Sequence, residues 1–238
     1  MTENLHANES LFSEVWRKKW FILVALALTL LYFGIMIAIQ TYFFGMGLNR
    51  ALIRGAAVGG FTLLGLALSI GPLAMLYPKL NFIPYRRAIG VAAFFQIFLH
   101  FNLSMQEYFK MNIVNLFWDL DPSRNALLFG LFAYVLLFAL FLTSTDWAMR
   151  KLAGGKWKMV QRLIYLAYLG AIIHFARIDL GGRGSFESLG LLFLASIAMA
   201  LQAAVFLRRI WGRKIGKAGA IGIGTIIIYA LGLAFAFL

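Results

Sequence analysis

Cysteine is absent from this chain of 238 residues. Its absence excludes disulfide bonds, iron–sulfur clusters, thiolate metal sites and a cysteine nucleophile. No G-x-G-x-x-G segment opens a helix after a strand, because the similar stretch GAIGIG at 219–224 lies inside an apolar run. The sequence therefore does not predict a dinucleotide-binding domain.

Charged residues are also scarce. They make up 13% of the chain, whereas a soluble domain carries about 25%. Hydrophobic residues make up 62%, and runs of roughly 20 apolar residues, the length that crosses a hydrocarbon core, recur throughout. The composition predicts an all-α membrane protein with no room for a separate soluble domain of ordinary size.

The apolar runs divide the chain into a polar tail at 1–19 and a series of predicted membrane spans. Six spans fall within 20–207, and a basic loop with a seventh span occupies 208–238. The predicted spans are 20–44, 56–77, 88–109, 125–147, 160–178, 188–207 and 216–238.

The basic residues predict the orientation of these spans. Of the 22 Lys and Arg residues, 16 fall in the tail and in the alternate loops at 78–87, 148–162 and 208–217, and six fall on the other side. The positive-inside rule places the larger group in the cytoplasm, with the N-terminus inside and the C-terminus outside. Since the charges lie in short loops and not along one face, the net charge of +13 indicates membrane lipid and no nucleic acid as the partner.

Two histidines lie inside apolar spans, at matching depth. His100 is 13 residues after Arg87, and His174 is 12 residues after Arg162. The third and fifth spans are predicted to run in the same direction, so both imidazoles fall in the outer half of the bilayer. Two facing imidazoles are the axial ligands that a haem b needs; the alternative is that each bonds separately to a neighbouring helix.

Residues near the histidines suit a porphyrin but have simpler explanations. Gly170, one turn before His174, could leave room for the edge of the ring. Arg177, three residues beyond His174, could pair with a haem propionate or anchor the helix at the interface. Aromatic side chains could wall the ring or pack as ordinary apolar residues: Phe94, Phe95, Phe98, Phe101, Tyr165, Tyr168 and Phe175.

Two stretches, YRRAIGVAAFFQIFLH (85–100) and LTSTDWAMRKLAGGKWKMVQRLIYLAYLGAIIHF (142–175), resemble the ferric-reductase-like transmembrane family. The resemblance covers about residues 45–180 and is closest to the haem-binding membrane subunit of a bacterial methionine sulfoxide reductase system; it is more distant to the STEAP metalloreductases. It implies a six-helix bundle with one extra C-terminal helix, and haem b held by His100 and His174.

The resemblance also marks an inner layer. Family members with a second haem bind it through histidines 14 residues before His100 and 13 before His174, where this chain has Arg86 and Gln161. One haem is therefore expected. The layer also contains Thr143, Ser144 and Asp146, which form either an interfacial helix end or the floor of a flavin or quinone site, as a flavin is seated in STEAP-like proteins.

The expected function is electron transfer from a cytoplasmic-side flavin or quinol, through haem b, to a redox protein outside a bacterial inner membrane. By resemblance, that partner could be a molybdopterin enzyme. The outer loop at 110–124 includes Phe117 and Trp118 in an apolar run, which suits a short amphipathic helix against the membrane or a partner. Two alternatives remain: an accessory subunit of a larger respiratory or photosynthetic complex, and a metal-chelate reductase.

Overall fold

The computed structural model describes residues 27, 29–79, 82–121, 125–183 and 186–211, and all regular structure in these ranges is helical. The α-helices are α1 (Thr29–Tyr42), α2 (Leu48–Leu76), α3 (Ile83–Phe109), α4 (Leu127–Leu142), α5 (Asp146–Gln161), α6 (Ile164–Arg183) and α7 (Phe186–Trp211). A short 3-10 helix, Ile113–Phe117, lies in the predicted outer loop between α3 and α4. The predicted tail at 1–19 and the seventh span at 216–238 lie outside the described residues.

Four segments of the described chain are long and apolar enough to cross a membrane: Leu48–Leu76, Ile83–Phe109, Gly155–Ile178 and Gly190–Arg208. A fifth candidate combines α4 with Asp146–Leu152, across a bend of 87°. These segments coincide with predicted spans two to six, and α1 lies within the first. The prediction of an all-helical membrane protein is confirmed in the described part of the chain; the number of crossings and their sidedness stay predictions.

One predicted loop is wrong. The stretch 148–162 was expected to be a basic loop, but it is helical from Asp146 to Gln161. Its start has a local cause, because the Thr145 side chain caps the helix by accepting a hydrogen bond from the Ala148 backbone N–H at 3.2 Å. The lysines and arginines of this segment do not prevent a helix, since Lys and Arg are good helix formers.

Helix α2 lies at the centre of the bundle, where it packs along α3 and α7, while α4 packs on α6. Small residues allow the close approach. A Cβ added at Gly55 would lie 3.3 Å from the Ile37 side chain of α1, and one added at Gly60 would lie 2.6 Å from Ile97 of α3. These glycines therefore serve helix packing, as small residues usually do in membranes.

Candidate functional site

The two histidines lie at one level near the outer end of the bundle, taking the outer side as the one that carries the 3-10 helix. His100 is nine residues before the end of α3 at Phe109, and His174 is nine residues before the end of α6 at Arg183. Both line a single cavity of about 490 Å³ between α2, α3, α4 and α6. This volume is in the range of small-molecule and cofactor sites, about 300–1,000 Å³.

Each histidine is oriented by a backbone carbonyl of another helix. His100 Nδ1 lies 3.1 Å from the carbonyl oxygen of Ile53 in α2, and His174 Nδ1 lies 3.0 Å from that of Ala126, at the start of α4. A carbonyl only accepts, so each Nδ1 carries the proton and donates it. Each Nε2 then keeps the lone pair that a metal needs. Ligating histidines typically show this arrangement, in which the second ring nitrogen is fixed by a hydrogen bond.

A glycine on α4 makes room for the ring of His174. A Cβ added at Gly130 would lie 2.7 Å from Nδ1 of His174 and 2.8 Å from Cε1. Gly170, expected to leave space for a porphyrin, has another role: a Cβ there would lie 3.2 Å from the Phe129 carbonyl oxygen and 3.4 Å from the Ala133 Cβ. Gly170 therefore lets α6 pack closely on α4, and the glycine that serves the site is Gly130.

Two arginines of α2, Arg50 and Arg54, line the cavity and were missed from the sequence. They are four residues apart, so they lie on one face of the helix, and they flank the stretch that contains Ile53. Arg177 does not line the cavity; its guanidinium lies over the Phe129 ring, 5.9 Å from the ring centre. The sequence signal for this pair is the four-residue spacing of Arg50 and Arg54 within one helix.

The walls of the cavity are mostly apolar, but few of the expected aromatic residues form them. Phe101 and Phe175 line it, together with Phe61, Tyr108 and Tyr134, which were not expected. The other expected rings pack elsewhere. Tyr168 and Phe94 are buried in the core, Tyr165 donates a hydrogen bond to Gln202, and Phe95 and Phe98 are exposed on the bundle surface.

The inner-layer residues are brought together where α4 meets α5. Gln161 Nε2 donates to Thr143 Oγ1 at 3.2 Å, and the Trp157 indole N–H donates to the Thr143 carbonyl at 2.9 Å. The Ser144 hydroxyl donates to the carbonyl of Leu140, one turn earlier. These bonds satisfy the carbonyl groups at the end of α4.

Charged residues join α3 to this corner. Arg87 forms a salt bridge with Asp146, both half-exposed or more. Arg86 lies near Gly71 of α2, its guanidinium 3.6 Å from the position of an added Cβ. One corner of the bundle therefore contains Thr143, Ser144, Asp146 and Gln161. Arg86 lies on α3 next to Arg87, the residue that forms the salt bridge with Asp146. This arrangement closes a helix junction and also gathers polar groups at the inner end.

The two imidazoles that line the cavity suit a metal that is already bound in a macrocycle. No group of three or more His, Asp or Glu side chains in the described residues could hold a bare metal ion. Two imidazoles from different helices, lining one cavity with mostly apolar walls, would instead hold the iron of a haem, whose porphyrin would supply the remaining ligands. The residues present therefore fit haem b.

Comparison with known proteins agrees with this architecture. The family described as "Ferric reductase like transmembrane component" matches residues 56–172, a range that includes His100 and ends two residues before His174. Curated relatives include the protein-methionine-sulfoxide reductase heme-binding subunit MsrQ of Brucella anthropi, 32% identical over 148 residues that cover 60% of this chain and 66% of that protein. MsrQ of Brucella ovis is 35% identical over 91 residues, 38% of this chain and 40% of that protein.

No solved structure matches the chain. The match covers just under two thirds of the first relative and less than half of the second. The family match and the relatives agree with each other: they support a ferric-reductase-like transmembrane family for this chain, with MsrQ proteins among its relatives.

Proposed function

We propose that this chain is a membrane electron-transfer subunit that holds one haem b between His100 and His174. The observation that carries the proposal is the pair of histidines on one cavity, each with Nδ1 tied to a backbone carbonyl. The relatives' name, heme-binding subunit, supports it. Haem b, held by both histidines, would supply a one-electron redox couple, which suits electron transfer more than substrate binding.

The chain's own residues have three tasks in this function. The carbonyls of Ile53 and Ala126 hold the imidazoles in one tautomer and one orientation. Apolar walls keep water from the iron site. Arg50 and Arg54 are the residues we assign to the haem propionates, because they are the basic side chains that line the cavity.

Electrons are proposed to enter from the cytoplasmic side. The inner layer of Gln161, Arg86 and the Thr143–Asp146 turn lies about 13 residues, or roughly 20 Å along the helix axis, from the histidines. We propose that a flavin or a quinone binds near this layer and shortens that gap. The support is the cluster of polar side chains at the inner end of an apolar bundle, where their hydrogen bonds also close the junction between α4 and α5.

Electrons are proposed to leave toward a redox protein on the outer side of a bacterial inner membrane, with the N-terminus inside and the C-terminus outside. The site supports this because both histidines lie near the outer ends of their helices. The 3-10 helix Ile113–Phe117 lies over this end, with Leu116 against the cavity and Trp118 exposed. We propose that Phe117 and Trp118 form part of the contact with the partner.

Absorbance of the purified protein tests the haem assignment. The reduced-minus-oxidised spectrum should be that of a low-spin b haem, and His100→Ala and His174→Ala should each abolish it. His6→Ala is the matched control, because it removes the one histidine that lies outside the apolar spans, and it should leave the spectrum unchanged. A wild-type protein without a haem spectrum, purified from haem-sufficient cells, would support the accessory-subunit alternative instead.

Reoxidation of the haem tests the partner. Replacing Phe117 and Trp118 by serine should slow reoxidation by a co-purified partner while leaving the spectrum intact. Rapid reduction of ferric chelates by the isolated chain, at a rate comparable to that of the complex, would favour the metal-chelate reductase. Unchanged co-purification and reoxidation in the double variant would leave these residues only a membrane-anchoring role.

A further inference from the structure

Asn125 is a buried polar residue in the segment that joins the 3-10 helix to α4. Only 1% of it is exposed. Its Nδ2 donates to the carbonyl oxygens of Leu116 at 2.8 Å and Asp119 at 2.9 Å, and its Oδ1 accepts from the Leu127 N–H at 3.1 Å. Since two carbonyls require donors and one N–H requires an acceptor, only this orientation of the carboxamide satisfies all three partners.

These bonds surround the carbonyl that orients His174. Ala126 lies between Asn125 and Leu127, and its carbonyl accepts the Nδ1 proton of His174. The Asn125 side chain bonds across this residue to the Leu127 N–H, while its own backbone N–H donates to Asp121 at 2.9 Å. The position of the Ala126 carbonyl thus depends on two hydrogen bonds of Asn125, one to the carbonyl of Asp121 before it and one to the N–H of Leu127 after it.

The same side chain also fixes part of the cavity wall. Leu116 is 5% exposed and lines the cavity, and its carbonyl is one of the two acceptors of Asn125. No comparable side chain is required for the other histidine. His100 bonds to Ile53, which is five residues inside α2 and is held by the helix itself.

We infer that Asn125 is a positioning residue that holds the His174 imidazole and the Leu116 wall in place together. The inference rests on the proposed haem ligation by His174. Loss of the carboxamide would free the Ala126 carbonyl to rotate, so the imidazole plane would lose its fixed orientation. Groups that hydrogen-bond to metal-ligating histidines and orient them typically contribute 10- to 100-fold to metal affinity.

The test compares Asn125→Ala with Asn112→Ala. Asn112 is an exposed residue of the same connection between α3 and α4, on the other side of the 3-10 helix, and among the described residues its side chain accepts the local Val114 N–H alone. The readouts are the g values of the ferric low-spin EPR signal, the midpoint potential and the rate at which apomyoglobin removes the haem. Asn125→Ala should shift and broaden the EPR signal, change the potential and raise the rate of haem loss at least about tenfold; Asn112→Ala should match the wild type.

Asn125→Ser is the second variant, which guards against failure to fold. Its hydroxyl can still accept from the Leu127 N–H, as serine does in such turns, but it cannot bond to both Leu116 and Asp119. The EPR signal should recover toward the wild type while haem loss stays fast. If the serine variant folds and is indistinguishable from wild type and Asn112→Ala in all three readouts, the inference is overturned. If the wild-type protein binds no haem, both the proposed function and this role of Asn125 are overturned. If the wild type binds haem and the Asn125 variants match it, only the role of Asn125 is overturned.

Discussion

The outer and inner halves of the bundle are built from the same helices but differ in what fills the space between them. At the level of His100 and His174, a cavity of about 490 Å³ separates α2, α3, α4 and α6. Further inward, Phe94 stacks on Phe141 with ring centres 4.3 Å apart, and Tyr168 stacks on Phe61 at 5.1 Å. The difference shows that the cavity exists because large side chains do not fill the space between the helices at this level.

Two glycines make this contrast specific. At the outer level, Gly130 leaves room for the ring of His174. At the inner level, Gly65 leaves room for the hydroxyl of Tyr168, which is fully buried. An added Cβ would lie 2.7 Å from a ring nitrogen in the first case and 2.7 Å from the hydroxyl oxygen in the second. A missing Cβ makes room for the His174 imidazole in one half and for the close-packed Tyr168 hydroxyl in the other.

The largest predicted effect comes from adding a methyl group at each of these two glycines. Gly130→Ala should displace His174 from the Ala126 carbonyl and weaken haem binding by at least about 10- to 100-fold. Gly65→Ala should keep the haem and lower stability by about 1–3 kcal/mol through overpacking. Haem content and thermal unfolding of the two variants measure this, with Gly90→Ala as control because an added Cβ there has nothing within 4 Å. Equal haem loss in the Gly130 and Gly65 variants would break the contrast.

A smaller effect is expected from the arginines of the outer half. Reduction adds an electron to the site, so a nearby positive charge favours the reduced form and its removal should lower the midpoint potential. At about 10 Å and an effective dielectric constant of about 20, one charge contributes about 1.7 kcal/mol, or roughly 70 mV for one electron.

Potentiometric titration should therefore give the order Arg54→Gln, Arg50→Gln, Arg177→Gln, from the largest decrease to the smallest. Arg54 is partly buried, Arg50 is exposed and more strongly screened by solvent, and Arg177 lies off the cavity. A larger decrease for Arg177→Gln than for either α2 variant would restore Arg177 as the propionate partner.

The smallest effect is expected at the inner layer. Gln161→Leu should slow reduction of the haem by a cytoplasmic-side donor a few-fold, because it removes a polar group from the proposed flavin or quinone site. The spectrum should not change. Tyr165→Phe is the control, since it removes a hydrogen bond to Gln202 one turn further along. An unchanged rate for Gln161→Leu, measured by stopped flow, would leave Gln161 with its structural bond to Thr143 alone.

The sequence predicted the helices and the histidines because both depend on local or periodic signals. Apolar runs predicted the helical segments, and similar distances from basic residues, 13 and 12 residues, predicted a common depth for His100 and His174. Hydrogen bonds made across helices were out of reach. Ile53, Ala126 and Asn125 act through backbone or loop geometry, and no pattern in the sequence brings them to the histidines.

Two further differences have the same origin. The charges of 148–162 predict a loop, whereas the structure has helix α5, which begins at the cap formed by Thr145. Gly170 and Gly130 are both small residues near the site, and only the packing of α4 against α6 shows which one faces the ligand. Sequence spacing places a residue at a depth, but packing decides what it touches.

Only the outer half of the bundle is expected to hold a haem, so the number of haems per chain distinguishes the two halves. Pyridine haemochrome absorbance of the purified wild-type protein, divided by its amino-acid content, should approach one haem b per chain. The reductive titration should then fit a single one-electron component. A ratio of two, with two components, would contradict the account, because it would require a second pair of ligands at the inner level, where this chain has Arg86 and Gln161.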